Sequence, residues 1–161
     1  MKAPFAYTIH LLTPQDLADF QSLVHLFADV FEIENFVPPP EAHLRKVLSQ
    51  EDFMVMVAKF GGKVIGGLTV HVLEQYYSER PLAYIYDLAV DTSCQRMGVG
   101  QKLMASIQEE CQKRGFEEVF VQVERVDQQA VDFYRSTQPT QEEEVLQYGY
   151  TLLNSSTAAP T

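Results

Sequence analysis

Apolar and polar residues alternate from Tyr7 through Ile9 to Leu11, the two-residue period of a half-buried strand. Thr13-Pro14-Gln15-Asp16 follows, with a capping hydroxyl, a proline suited to a first helical position and an acid for the first turn, so a helix is predicted to begin there. Its residues Leu17, Phe20, Val24, Phe27 and Phe31 step by three and four places and form one core-facing stripe that ends near Glu32. Pro38-Pro39-Pro40 closes a loop. Residues 31–40 are expected to form a mobile lip at a substrate site, and 41–48 a short helix with Leu44, Val47 and Leu48 inward.

β-rich runs at 53–60 and 63–72 flank Gly61-Gly62, which reads as a hairpin, and 82–90 is a third long strand. The period then changes to 3.6. Val99, Leu103, Ile107 and Cys111 share one helical face, and Lys113-Arg114-Gly115 ends the helix with cations and a glycine. A strand at 118–123, a helix at 127–137, a final strand at 144–153 and a flexible polar tail at 154–161 complete the order β-α-α-β-β-β-α-β-α-β, with no internal repeat.

The 161 residues suit one domain, assigned to 1–153, and 46% hydrophobic with 21% charged residues is the balance of a folded core. The apolar runs are strand-length, short of the roughly 20 residues of a membrane-spanning helix. The first residues do not resemble a secretory signal, so the expected location is the cytoplasm. Cys94 and Cys111 are read as two reduced thiols, and His10, His25, His43 and His71 lack ligand spacing, so no metal is predicted. Acids outnumber bases 22 to 12, for a net charge of −10. That excludes general nucleic-acid binding and favours cationic partners, or else serves only as a soluble surface.

Chemistry concentrates where Tyr84-Ile85-Tyr86-Asp87-Leu88-Ala89-Val90 runs into Gln95-Arg96-Met97-Gly98-Val99-Gly100 and opens a helix. Unpaired N–H groups at a helix start bind phosphates, glycines admit a ligand close to the main chain, and Arg96 adds positive charge. A GxG at a helix start also suits an ordinary turn, and the longer glycine spacing and downstream acid of a dinucleotide site are missing.

Gln-x-x-Gly-x-Gly after Asp-Leu-Ala-Val resembles the acyl-CoA loop of the GNAT N-acetyltransferases, and the later Asp127, Ala130, Phe133 and Tyr134 resemble the family helix whose tyrosine lies beside the CoA sulfur. Within that superfamily, Tyr84 to Val90, Gln122, Glu124, the late Glu143-Glu144-Val145 and the early helix around Leu26-Phe27 are similar to the aminoglycoside 3-N-acetyltransferases, over about residues 8 to 150. The resemblance implies an α+β GNAT fold: a mixed, mostly antiparallel twisted sheet of six to seven strands, about four helices and a V-shaped splay at the acyl-CoA site. It implies acetyl-CoA as cosubstrate, held by Leu88, Ala89, Val90, Gln95, Arg96, Met97, Gly98, Val99, Gly100, Gln101, Asp127, Ala130 and Tyr134. It also implies a homodimer.

Attack by an amine that arrives as an ammonium requires a proton acceptor, for which Asp87 and Glu124 are the candidates, and Tyr134 is the proton donor to the leaving thiolate. Asp87 also reads as a bulge residue bonded to a neighbouring N–H, and Tyr134 as a core aromatic. Asp87, Glu124, Glu142, Glu143 and Glu144 would face a polycationic substrate, the last three reading equally as a solvated charge run. Two departures from the family pattern stand out. Its glycine four residues after the tyrosine is Gln138 here, followed by Pro139, and Gln147 and Gly149 replace a histidine and an acid of the aminoglycoside enzymes. The functions to be weighed are acetylation of an aminoglycoside, of a polyamine, or of a protein or peptide amine, and a non-catalytic acyl-CoA-binding module.

Overall fold

The computed structural model describes residues 5–153; the tail expected at 154–161 lies outside the described residues. The elements are β1 (Thr8–Leu11), α1 (Leu17–Val30), α2 (Glu41–Leu48), β2 (Phe53–Phe60), β3 (Lys63–Leu73), β4 (Leu82–Val90), a 3₁₀ turn (Thr92–Cys94), α3 (Val99–Lys113), β5 (Glu118–Val121) and α4 (Gln128–Ser136). The strands form one sheet in sequence order. β1 to β4 are antiparallel neighbours, while β5 runs parallel to β4 after the α3 crossover.

Both sheet faces are covered, which is why β2 and β3 read as nearly continuous apolar runs. Met54, Met56 and Ala58 of β2 face α3, whose Val99, Leu103, Ile107 and Cys111 are buried as their spacing predicts. Val55 and Val57 face the opposite way, onto Leu17, Phe20, Leu23, Leu26 and Phe27 of α1 and Leu44 and Leu48 of α2. The hairpin closes through Gly61-Gly62 with Phe60 opposite Lys63.

Three expectations are corrected. The described residues contain five strands, not six or seven, and 144–153 is not a strand: it joins no sheet and is exposed throughout. The first helix starts at Leu17 rather than at Thr13, because Asp16 turns its carboxylate back to accept the Thr13 N–H at 2.7 Å and its hydroxyl at 3.0 Å. Residues 13–16 therefore close a turn ahead of the helix. Phe31 leaves the buried stripe, 45% exposed beyond the last helical residue, with its ring stacked on Phe27.

β4 positions the site. Its register against β3 shifts between Thr69 and Val70, so that Thr69 faces Asp87, Val70 faces Ile85, and Tyr86 is an extra, bulged residue. The bulge resets the alternation: Ala83 and Ile85 before it, and Leu88 and Val90 after it, all join the α3 side. β5 accompanies β4 only over Leu82 to Ile85. From Tyr86 to Val90 that flank of β4 has no strand beside it among the described residues.

Candidate active site

Asp87 sits immediately after the bulge, half-buried. Burial raises its pKa above the ordinary carboxylate value, and the nearby His71 partly offsets this. Its carboxylate makes no hydrogen bond among the described residues, so it is not the acceptor that would stabilise a bulge. Tyr134, on α4, is also half-buried and lies edge-on to Phe133 with ring centroids 4.9 Å apart. Burial, and then the charge of Asp87, push its phenol up to about 12. A carboxylate with a raised pKa can take a proton from an ammonium, and a phenol held protonated can donate to a departing anion.

Glu124 does not join this pair. It is exposed in the loop after β5, where its backbone carbonyl accepts the Asp127 N–H at 2.9 Å. Glu142 accepts from Arg135 Nε at 2.8 Å and Nη2 at 3.1 Å, and Glu144 lies 2.6 Å from Arg125 Nη1, all four side chains being exposed. Two of the three consecutive acids thus have arginine partners, and Glu143 has none among the described residues.

The loop between β4 and α3 is well braced. Asp91 donates its N–H to Ile65 O at 2.7 Å, and its carboxylate caps the 3₁₀ turn by accepting from Ser93 N at 2.9 Å and Ser93 Oγ at 2.6 Å. Gln95 Nε2 donates to Val90 O at 3.0 Å, and Tyr7 Oη donates to Gly98 O at 3.2 Å. Arg96 and Gly98 both take positive φ, 63° and 82°. Gly98 is the α3 N-cap with no side-chain cap, and the first helical bond runs from Lys102 N to Gly98 O at 3.0 Å. The N–H groups of Val99, Gly100 and Gln101 are therefore left to a ligand or water.

The two glycines do different jobs. A Cβ at Gly98 would meet nothing within 4 Å, so its positive φ explains the residue and open space lies beside it. A Cβ at Gly100 would come within 3.0 Å of the Phe133 ring, so that glycine admits α4 rather than a ligand. Gln101 donates to Ser136 Oγ and strengthens the same α3–α4 contact. Asp127 caps α4 by accepting the Ala130 N–H at 3.0 Å, which commits both of these groups locally.

His71 and Tyr86 were not singled out as site residues by the sequence. Tyr86 is exposed, and its ring stands edge-on to His71 at 5.6 Å and to Tyr84 at 5.9 Å, beside Asp87. Their signal is the bulge, which a strand pattern does not encode. A separate cleft of about 650 Å³ between α1 and the β2–β3 turn is lined by Asp19, His25, Asp29, Lys63 and Asp91, among others, but by neither Asp87 nor Tyr134. Among the described residues no cluster of three or more His, Cys, Asp or Glu is placed to hold a metal, and no helix is long and apolar enough to cross a membrane. Cys94 and Cys111 are free.

A bulged strand leading through a glycine loop into a helix, beside a parallel strand whose pairing ends at Ile85, is the arrangement of an acyltransferase class. The family model described as Acetyltransferase (GNAT) family matches residues 20–137, and the chain belongs to that family. Among solved structures it is similar to the aminoglycoside acetyltransferase meta-AAC0020 from an uncultured soil metagenomic sample. The complex of that enzyme with trehalose shows 54% identity and a TM-score of 0.90 over 91% of this chain and 97% of that one. Its complex with sisomicin shows 53% identity over the same shares, again with a TM-score of 0.90. The aminoglycoside acetyltransferase HMB0005, also from an uncultured soil metagenomic sample, shows 29% identity and a TM-score of 0.84 over 92% of this chain and 99% of that one. No curated protein matches. The chain is a GNAT acetyltransferase similar to aminoglycoside acetyltransferases.

Proposed function

We propose that this chain acetylates a primary amine of a polycationic small molecule, an aminoglycoside at its 3-N position, using acetyl-CoA in a ternary complex. The carrying observation is the pair Asp87 and Tyr134: a half-buried carboxylate just after the β4 bulge and a half-buried phenol on α4, both with raised pKa values and near enough for the charge of Asp87 to act on Tyr134. Identity of 54% to an enzyme whose structure was also determined with sisomicin supports the substrate class.

Acetyl-CoA supplies the activated thioester. The residues present suit it: three unpaired N–H groups at 99–101 and the cation Arg96 suit its pyrophosphate, with open space at Gly98. The loop from Gln95 to Gln101 takes the pyrophosphate, and the unaccompanied backbone of Leu88, Ala89 and Val90 takes the pantetheine arm and the thioester oxygen. Asp127 and Ala130 act by fixing the start of α4. Asp87 accepts the proton of the substrate ammonium, directly or through water, freeing the lone pair that attacks the thioester carbon; Glu124 is the second candidate. As the tetrahedral adduct collapses, its C–S bond breaks and its nitrogen releases the second surplus proton to water, while Tyr134 donates a hydrogen bond to the departing sulfur. A free thiol titrates near about 8.5, well below this phenol, so Tyr134 stabilises the thiolate without giving up its proton outright. Glu142, Glu143 and Glu144 present carboxylates to further ammonium groups, two of them exchanging an arginine partner to do so.

The regiochemical test is acetylation of sisomicin followed by NMR of the product. A single acetyl on the 3-amine supports the proposal; an acetyl on another amine removes the 3-N assignment and keeps the substrate class.

A further inference from the structure

Among the described residues, Thr69 of β3 is the one polar side chain in the buried set, 6% exposed. It stands in an otherwise apolar run, with Val64-Ile65-Gly66-Gly67-Leu68 before it and Val70 after it. Threonine and valine share a branched shape that suits a strand, and valine would bury no hydroxyl there. Packing alone does not call for the oxygen.

The surroundings of that hydroxyl are unequal. It makes no hydrogen bond with the described residues, yet no fully buried side-chain oxygen among them is left unpartnered, so Oγ1 keeps an opening to the surface. Two flanks are closed. Val55, opposite Thr69 on β2, is 1% exposed, and Gly67, the preceding residue on the same face, lies under α1, where a Cβ would come within 2.7 Å of Leu23 Cδ1. The other two flanks hold Asp87, paired with Thr69 across β4, and the exposed His71, next along the same face. The cover of α1 ends at Thr69, and the opening lies toward Asp87.

Directly opposed residues on antiparallel strands carry Cβ atoms about 4.5–5.5 Å apart. Thr69 and Asp87 are so paired, but their side-chain oxygens do not bond to each other. Two recessed oxygens in that relation suit one small molecule bonded to both, and an ordered water takes two or more such partners. A ring carbon bearing an amine is broader, and a residue as deep as Thr69 admits the smaller of the two.

We infer that Thr69 is a positioning residue for the proton transfer: its hydroxyl and the Asp87 carboxylate hold between them the water that carries a proton from the substrate ammonium to Asp87. The ammonium gives a proton to the water as the water gives one of its own to the carboxylate, so the water is regenerated and the lone pair of the amine is freed for attack. Thr69 Oγ1 accepts the second O–H of that water and so turns its lone pairs toward the incoming ammonium. The inference rests on Asp87 acting as the base in the proposed reaction, but not on which amine is acetylated.

The test compares wild type, Thr69→Val and Thr69→Ser. Steady-state kinetics with acetyl-CoA and sisomicin are followed against pH, and the Asp87 carboxyl is titrated by carbon-13 NMR in the protein without substrates. His71 and Tyr134, the titratable groups whose fields couple to Asp87, are retained in all three forms, and thermal unfolding checks that each is folded. Thr69→Val is expected to lower kcat about 10- to 100-fold, the worth of a hydrogen bond to a charged group, with KM for acetyl-CoA unchanged. The acid limb and the Asp87 titration both move to higher pH in that variant, because the carboxylate loses the donor held against it. Thr69→Ser restores most of the rate and the wild-type titration. A Thr69→Val form with wild-type kcat or an unmoved Asp87 titration overturns the inference, as does a Thr69→Ser form as slow as the valine variant. If the wild type does not acetylate sisomicin, the aminoglycoside reading fails by itself. The carboxyl titration, which needs no acceptor, then decides the inference: a move to higher pH in Thr69→Val supports it, and none overturns it.

Discussion

The carboxylate of Asp87 on β4 and the phenol of Tyr134 on α4 share one electrostatic field: the charge of Asp87 adds to burial in lifting Tyr134 to about 12. The relationship depends on two backbone features far apart in the chain. The bulge at Tyr86 sets the direction of Asp87, and Gly100 lets α4 approach through Phe133. Neither side chain makes a hydrogen bond among the described residues.

Asp87→Asn is expected to lower kcat/KM by roughly 10²- to 10⁴-fold, the usual worth of a general base. In the wild type, activity falls as pH drops through the raised pKa of Asp87. A pH–rate profile of the variant that retains the same acid limb would assign that limb to another group.

The same substitution should raise stability at neutral pH. Burial lifts the folded pKa of Asp87 above the value of 3.8 for a free carboxyl, so its contribution favours folding below the unfolded pKa and is lost as pH rises through the folded one. Its charge therefore costs stability near pH 7. Thermal unfolding should give Asp87→Asn a gain in Tm on the order of a few °C, shrinking toward acid pH.

Tyr134→Phe should cost roughly 10²-fold in kcat with little change in KM for acetyl-CoA. Because the phenol titrates only at about 12, it contributes no alkaline limb below that range. Steady-state kinetics of the two forms check both statements.

Gly98→Ala and Gly100→Ala should separate the two roles of the loop. A side chain at Gly98 strains a backbone at φ 82° by about 1 kcal/mol and crowds the ligand side, so KM for acetyl-CoA rises. A side chain at Gly100 pushes Phe133 and with it Tyr134, so kcat falls. Similar changes in both parameters for both variants would contradict this division.

Much of the fold is legible along the chain because its patterns are local. The α3 face from Val99 to Cys111, the Gly61-Gly62 hairpin and the loop from Gln95 to Gly100 follow from spacing and turn chemistry. What is not legible depends on choices the pattern leaves open. Thr13 and Asp16 suit a helix start, but their side chains bond each other first. The row Leu146, Tyr148, Tyr150, Leu152 does alternate like a strand, yet alternation specifies a face and not a partner. The bulge that brings Tyr86 and His71 beside Asp87 arises from register with β3, which no single strand reveals. The candidate acids divide in the same way: Asp87 is placed by the sheet, while Glu142 and Glu144 find arginines that sequence spacing did not single out.

The most direct measurement is thiol release from acetyl-CoA in the presence of sisomicin, spermidine or a short lysine peptide, for the wild type and Asp87→Asn. The account predicts rapid turnover of sisomicin by the wild type, much slower turnover of the other two amines, and loss of the sisomicin rate in the variant. Turnover of spermidine or peptide but not sisomicin, or a sisomicin rate that survives loss of the Asp87 carboxylate, would contradict it.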